Sequence, residues 1–234
     1  MTGAVWGAMD VQIPARKSSR TGGRRKPAPP QKDAERTKAD ILAVAKQAFA
    51  DHGLSGARVD EIAERTRTSK RMIYYYFGGK EGLYLAVLEK AYADIRAVEA
   101  SLSLDALDPV EALRRLVEQT FESDEVNEDF VRLVAIENIH RGEHLARTES
   151  LRQINSGVIA SLERILERGK AAGLFRSDLD AIDLHMAVSA LCFFRVSNRH
   201  TFGKIFGVDL AGAARRRRHK KMIVEAILRL VSKE

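Results

Sequence analysis

At 234 residues the chain can form one or two domains, and its apolar and charged fractions, 45% and 30%, are those of a globular protein. A single cysteine, Cys192, excludes a disulfide framework and any CxxC metal or redox motif, which fits a reducing cytoplasm; no apolar run approaches the roughly eighteen residues of a membrane span, and the N-terminus lacks the apolar stretch of a secretory signal. The charge is asymmetric: residues 1–35 hold seven basic and three acidic side chains and residues 36–84 nine and six, so the whole net charge of +7 sits in the first third, a distribution that favours a phosphate-bearing partner.

Residues 1–34 carry four of the five prolines, the pair Gly22-Gly23 and the basic cluster Arg16, Lys17, Arg20, Arg24, Arg25, Lys26 and Lys32. This composition predicts a disordered basic arm, either a solvated tail or a segment that lies along DNA. From residue 35 to 51 the apolar residues Ile41, Leu42, Ala45, Ala48 and Phe49 recur at helical spacing, with Gly53 as the stop. Val59, Ile62 and Ala63 predict a second, short helix, residues 65–68 a polar turn, and Ser69 the cap of a third helix, KRMIYYYF, ended by Gly78-Gly79. Two short helices joined by a tight turn, the second basic and aromatic at its start, have the layout of a helix-turn-helix DNA reader. A fourth helix follows over 80–101. Five more are predicted over 109–123, 128–141, 148–172, 180–199 and 211–232, with a glycine-bearing loop at 200–210 and no strand pattern. The fold class is therefore all-α: a three-helix DNA-binding domain over 35–80 and a larger helical domain over 81–234. The segment 184–194, apolar nearly all round, and the last helix, with Met222, Ile223, Ala226, Ile227, Leu230 and Val231, form either core or a subunit interface.

Ile41-Leu42, Ala45, Ala48-Phe49, Gly53, Val59, Ile62-Ala63, Ser69-Lys70, Tyr74-Tyr75, Phe77, Lys80 and Leu83 stand at family spacings, and residues 36–84 resemble the DNA-binding domain of TetR-type transcriptional regulators. The resemblance implies a cytoplasmic, nucleoid-associated homodimer that binds a palindromic operator in double-stranded DNA. It also implies a helical ligand-binding domain, with the eighth and ninth predicted helices forming a four-helix bundle between subunits. Ala57 stands where the family has a capping Thr, leaving the second helix uncapped or capped by Ser55. Arg67 stands where it has Gly, which requires a left-handed backbone or another turn. Arg71 replaces a small residue and Tyr76 a His.

The candidate DNA-binding residues are Arg58, Arg67, Thr68, Ser69, Lys70, Arg71, Met72, Tyr74, Tyr75, Tyr76 and Lys80. Helix starts at Ser69-Lys70 and Lys80 offer free N–H groups and a positive dipole end to phosphates. Arg71 suits a guanine edge, and Arg58, Arg67 and Thr68 suit phosphates. The resemblance implies that one of Tyr74 and Tyr75 packs a thymine methyl and the other bonds a phosphate. By the same resemblance an effector pocket lies among helices four to eight. Polar groups within apolar stretches are its candidates: Glu137 and Asn138 with Phe130 and Val134, and His185 and Ser189 with Phe193. Arg141, Arg195 and Asn198 are placed to meet an anion. The segment 191–202 resembles regulators of aromatic and heteroaromatic acid breakdown, which implies such an acid as effector. No cofactor is expected. His140, Glu143 and His144 match H-x-x-E-H, half of a zinc site, and carry the alternative of a metal-dependent hydrolase; Gly142 and the lack of a third ligand weigh against it. Arg215–Arg218 with His219, Lys220 and Lys221 read as a solvated face. A ligand-responsive repressor is the function expected, with a regulator lacking a small ligand, or an activator, as alternatives.

Overall fold

The computed structural model describes residues 31–233. Among these it contains ten α-helices, two single 3-10 turns, and only an isolated bridge between Phe175 and Ser232 in place of any strand. The expected arm lies outside the described residues for 1–30, but its last four residues are helical. Helix α1 (Gln31–Gly56) carries Asp33 in its first turn, where the helix dipole favours an acid. Gly53, expected as the stop, instead kinks α1 at φ 65°, and the helix runs on to Gly56. Ser55 therefore lies inside α1 and caps nothing: α2 (Val59–Arg65) begins without a side-chain cap.

The turn after α2 is closed by two backbone bonds, Thr68 N–H to Ala63 O (3.0 Å) and Arg67 N–H to Glu64 O (3.1 Å). That pattern needs a left-handed residue, and Arg67 supplies it at φ 52°. Ser69 Oγ then accepts the Met72 N–H at 3.2 Å and starts α3 (Lys70–Phe77). Gly78 and Gly79, at φ 75° and 143°, turn the chain sharply into α4 (Lys80–Ala100), a path closed to side-chain-bearing residues.

Beyond α4 come α5 (Pro109–Val126), α6 (Glu128–Ile139), α7 (Ser150–Ala171), α8 (Ala181–Ser197), α9 (Arg199–Phe206) and α10 (Ala213–Val231). Asp108 caps α5 through the N–H groups of Val110 and Glu111, and Asp180 caps α8. The expected loop at 200–210 is mostly helix. Gly203 and Gly207, the loop signals, have other tasks: a Cβ on Gly203 would stand 2.9 Å from the Val208 carbonyl, and Gly207 is the left-handed C-cap of α9.

Two cores result. Ile41, Phe49, Ile62, Ile73 and Tyr84 bind α1–α3 to the first half of α4. Leu113, Phe121, Leu162, Leu184 and Ile227 join α5, α7, α8 and α10. The second half of α4 belongs to a third cluster, where Ala91 and Ile95 meet Phe130, Val131 and Val196. Helix α6 bridges the two ends. Leu133 is part of the N-terminal core, and Arg132 holds the end of α1 by bonding Ala50 O (3.1 Å) and pairing with Asp51 (3.2 Å).

The acids near the end of α5 gather cations from the last three helices. Arg195, expected at an anionic ligand, is 5% exposed, pairs with Glu125, donates to Leu210 O at 2.6 Å and lies over the Phe121 ring. Arg199 reaches the same carboxylate at 3.4 Å. Within the basic run, Arg216 and Lys220 both bond Glu122, which holds its carboxyl below the usual range. That run is therefore only partly the solvated face expected. Asn198 donates its amide to Phe194 O and Ser197 Oγ, where α8 ends.

Candidate nucleic-acid interface and ligand cavity

Helix α3 is amphipathic over two turns. Ile73 is fully buried, while Arg71, Tyr74 and Tyr75, at i, i+3 and i+4, share the opposite face. Tyr75 is 74% exposed and Tyr74 42%, an uncommon position for two aromatic side chains unless something covers them. Arg67 and Arg71 form no ion pair with any described residue. The other cations are engaged: Lys70 pairs with Asp60 (3.1 Å) and Arg58 with Glu61 (3.4 Å). Lys80 Nζ donates to Ser55 O at 3.0 Å and so closes the end of α1. Thr68 and Met72 are half-buried beside the exposed Ser69. Tyr76 is turned toward the domain itself: it packs on the N-terminal core, edge-on to Tyr75 and Phe77, with the Lys38 ammonium over its ring at 5.7 Å. The candidate reader residues thus split into exposed ones (Arg58, Arg67, Ser69, Lys70, Arg71, Tyr74, Tyr75) and a supporting layer (Thr68, Met72, Tyr76, Lys80).

In the C-terminal part a cavity of about 850 Å³ lies between α4, α5, α6, α7 and α8. Six of the eight candidate effector residues line it: Phe130, Val134, Asn138, His185, Ser189 and Phe193. Glu137 and Arg141 do not. Glu137, one turn beyond Leu133 on α6, is 1% exposed; its Oε1 accepts the Tyr84 hydroxyl (2.7 Å) and stands 3.0 Å from His144 Nδ1. Asn138, the next residue, lies about 100° round the helix and lines the cavity with Val134, one turn before it. Arg141 falls in the turn that ends α6, at φ 57°.

The same turn removes the geometry of H-x-x-E-H. Helix α6 stops at Ile139, so His140 and His144 do not occupy one helical face; Glu143 pairs with Arg147 and His144 with Glu137. No group of three His, Cys, Asp or Glu side chains able to hold a metal exists among the described residues.

Sequence reasoning missed much of the cavity's polar lining: Tyr92, Arg96, Glu99, Asp124 and Asn155. Arg96 Nε donates to Asn155 Oδ1 (3.0 Å) and its Nη1 to Glu99 (2.5 Å). Burial raises the Glu99 carboxyl against the opposing pull of Arg96, and burial lifts Asp124 to about 7. Burial and Arg96 together favour the neutral form of His185. The available signal was the spacing Leu113, Val117, Phe121, Asp124, which puts an acid where the buried face of α5 continues.

An exposed basic and aromatic face on the second helix of a helix-turn-helix, with a ligand-sized cavity in a separate helical layer, defines a DNA-binding regulator. Residues 41–87 match the family model for bacterial regulatory proteins of the tetR family, and residues 109–227 that of the tetracyclin repressor-like C-terminal domain. The chain belongs to the TetR family of transcriptional regulators, proteins that bind DNA rather than catalyse a reaction. It is 40% identical over 178 residues to the HTH-type transcriptional repressor NicS of Pseudomonas putida, covering 76% of this chain and 84% of that one. Among solved structures it resembles a tetR-family regulatory protein from Rhodococcus RHA1 (TM-score 0.67, 22% identity, 85% of this chain and 98% of that one). The fatty acid degradation regulator FadR of Bacillus halodurans shares the fold as well (TM-score 0.62, 22% identity, 86% and 97%).

Proposed function

We propose that the chain is a cytoplasmic, nucleoid-associated repressor that binds a palindromic operator as a homodimer and is released by a small aromatic or heteroaromatic acid. The observation that carries this reading is the double attachment of α6. One side of the helix, through Phe130, Val134 and Asn138, walls the cavity. Its adjoining residues Leu133, Arg132 and Glu137 are fastened to the core under the reader helix. A ligand that moves α6 moves the reader, and it releases DNA only by binding the displaced state more tightly than the DNA-bound one. Tyr92, Phe130 and Phe193 suit an aromatic ring, and Arg96 is the cation nearest to hand for a carboxylate. The resemblance to the repressor NicS supports the sign of regulation. In the reader, Arg71, Tyr74 and Tyr75 meet base edges and methyl groups, and Arg67, Ser69 and Lys70 meet phosphates.

Selection of bound duplexes from a random pool, with wild type and Tyr75→Ala side by side, tests this. Wild type is expected to enrich a palindrome with half-sites about one helical turn or a multiple apart, and the variant to lose it. Equal enrichment by both, or only salt-sensitive general binding, would remove α3 from the reading.

A further inference from the structure

One carboxyl in the cavity has no partner among the described residues, that of Asp124. The residue is 7% exposed, lines the cavity, and makes no hydrogen bond or ion pair with any described residue. A buried carboxyl left so is costly, and native proteins keep few such groups without a use. Ser123, Asn155 and Glu99 beside it are engaged. Ser123 Oγ accepts from Gln119 (3.0 Å), and Asn155 uses both ends, on Arg96 and on Leu151 O (2.8 Å). Glu99 holds Arg96. Arg96 in turn spends Nε and Nη1 within the protein and leaves Nη2 without a partner among the described residues. The cavity therefore presents an open carboxylate acceptor, Asp124, and an open guanidinium donor, Arg96 Nη2, beside aromatic walls; the Tyr92 hydroxyl, the His185 ring and the Ser189 hydroxyl in its lining are likewise without hydrogen bonds among the described residues.

We propose, resting on the effector reading above, that Asp124 is the specificity-determining acceptor of the cavity, and that its ligand is an aromatic acid which also carries a hydrogen-bond donor, a ring N–H or a hydroxyl, directed at this carboxyl. The ligand's own carboxylate takes Arg96 Nη2. An acid of the same shape without the donor would cover Asp124, strip it of water and give nothing back, which is how a polar site rejects a near-isostere. The raised affinity of Asp124 for protons, from burial, means that it accepts best above neutrality.

Thermal shift and calorimetry on the full-length protein at about pH 8 test this with benzoate, meta-hydroxybenzoate and meta-aminobenzoate, against wild type, Asp124→Asn and Asp124→Leu. Wild type is expected to bind at least one donor-bearing probe tenfold or more tighter than benzoate, on the order of one charged hydrogen bond. Asp124→Leu should bring the probes within about twofold of one another, and Asp124→Asn, which keeps an acceptor oxygen, should retain part of the preference. Without any probe, Asp124→Leu should melt above wild type, because the carboxyl serves the ligand and not the fold. Equal binding of all three probes by wild type overturns the acceptor role and leaves the aromatic-acid reading standing. A lower melting temperature for probe-free Asp124→Leu makes the acid structural and also overturns the proposal. If no probe binds wild type, the aromatic-acid effector falls, and this proposal with it.

Discussion

Two side chains hold positions that stability alone would not choose. Arg67 occupies a left-handed backbone at φ 52°, which an L-residue with a Cβ adopts at a cost of about 1 kcal/mol and which glycine adopts freely. Its guanidinium is exposed beside α3 and unpaired among the described residues. Arg67→Gly should therefore raise the unfolding free energy by roughly 1 kcal/mol while lowering the salt slope of operator binding by about one unit. Denaturant melts and binding titrations at several salt concentrations read the two effects separately; a stabilised variant with an unchanged slope would take Arg67 off the phosphates. Asp124 is the second case, and its sign is opposite to that of a salt-bridged acid. Burial lifts it to about 7, so between about pH 4 and pH 7 the folded chain holds a proton that the unfolded chain has lost. Stability then falls as pH rises through that window, and the penalty is complete above it. The charged and titratable groups facing Asp124 are Arg96 and Glu99 from α4 and Cys192 and His185 from α8. Asp124→Asn should gain on wild type across the same window, by up to roughly 4 kcal/mol at the shift involved. Denaturant melts from about pH 4 to about pH 8 check it: a difference that does not grow with pH would mean that the carboxyl is hydrated or paired.

At the scale of elements, α6 joins cavity to reader, and its fastening is polar as well as apolar. Tyr84 packs edge-on to Phe49 at 5.0 Å within the N-terminal core and donates its hydroxyl to Glu137, whose Oε2 has no partner. Tyr84→Phe leaves that buried carboxylate with His144 alone and should cost about 1–3 kcal/mol. Glu137→Gln in the same background should cost much less than in wild type, because the two residues act as a unit; strictly additive melts would show that the bond carries no coupling. The N-terminal elements were legible in the sequence because local signals decide them: Ser69 as a cap, the glycines after Phe77, the apolar spacing of Ile41, Ala45 and Phe49. At Arg67, standing where glycine usually does, the sequence left a left-handed backbone or another turn open, and the structure takes the first. The kink in α1 and the helix α9 were not legible. In both places a glycine, read as a stop at Gly53 and as a loop signal at Gly203, is present for another reason, a bend and a close approach to the Val208 carbonyl. The cavity was legible only where polar residues interrupt strongly apolar helices, as His185 and Ser189 do. Arg96 and Glu99, four and seven residues beyond Tyr92, look like an ordinary solvated i,i+3 pair until the fold turns them inward.

Among the described residues the last three helices leave an apolar face uncovered. On α8, Ile182, Met186 and Phe194 are exposed; on α10, Met222 and Leu230 stand two turns apart on one side with Ala226 between them. Helix α9 extends the face with Ile205 and Phe206, and the ring of Phe202 links Phe206 to Phe194. An apolar surface of this extent calls for a partner, and TetR-family regulators are dimers, so a second copy of this chain is the occupant it fits. Ile182 and Met186 also line the ligand cavity, which places the wall of the cavity and the subunit face on one helix. A ligand that shifts α8 thus has a direct route to the spacing between the two reader helices. Covering such a face buries about 800 Å² on each copy and leaves no room for paired carboxylates at its centre. The double variant Met222→Glu/Leu230→Glu should therefore sediment as a monomer. Its helical circular dichroism should be retained, since both side chains are exposed within one copy. Its reader is intact, yet each half-site must then be bound alone. The effective concentration that the dimer supplies, in the millimolar range, is lost, and operator affinity should drop a hundredfold or more while general DNA binding changes little. A variant that still sediments as a dimer would move the subunit contact off α10, and a monomer that kept full operator affinity would show that the two half-sites are not read together.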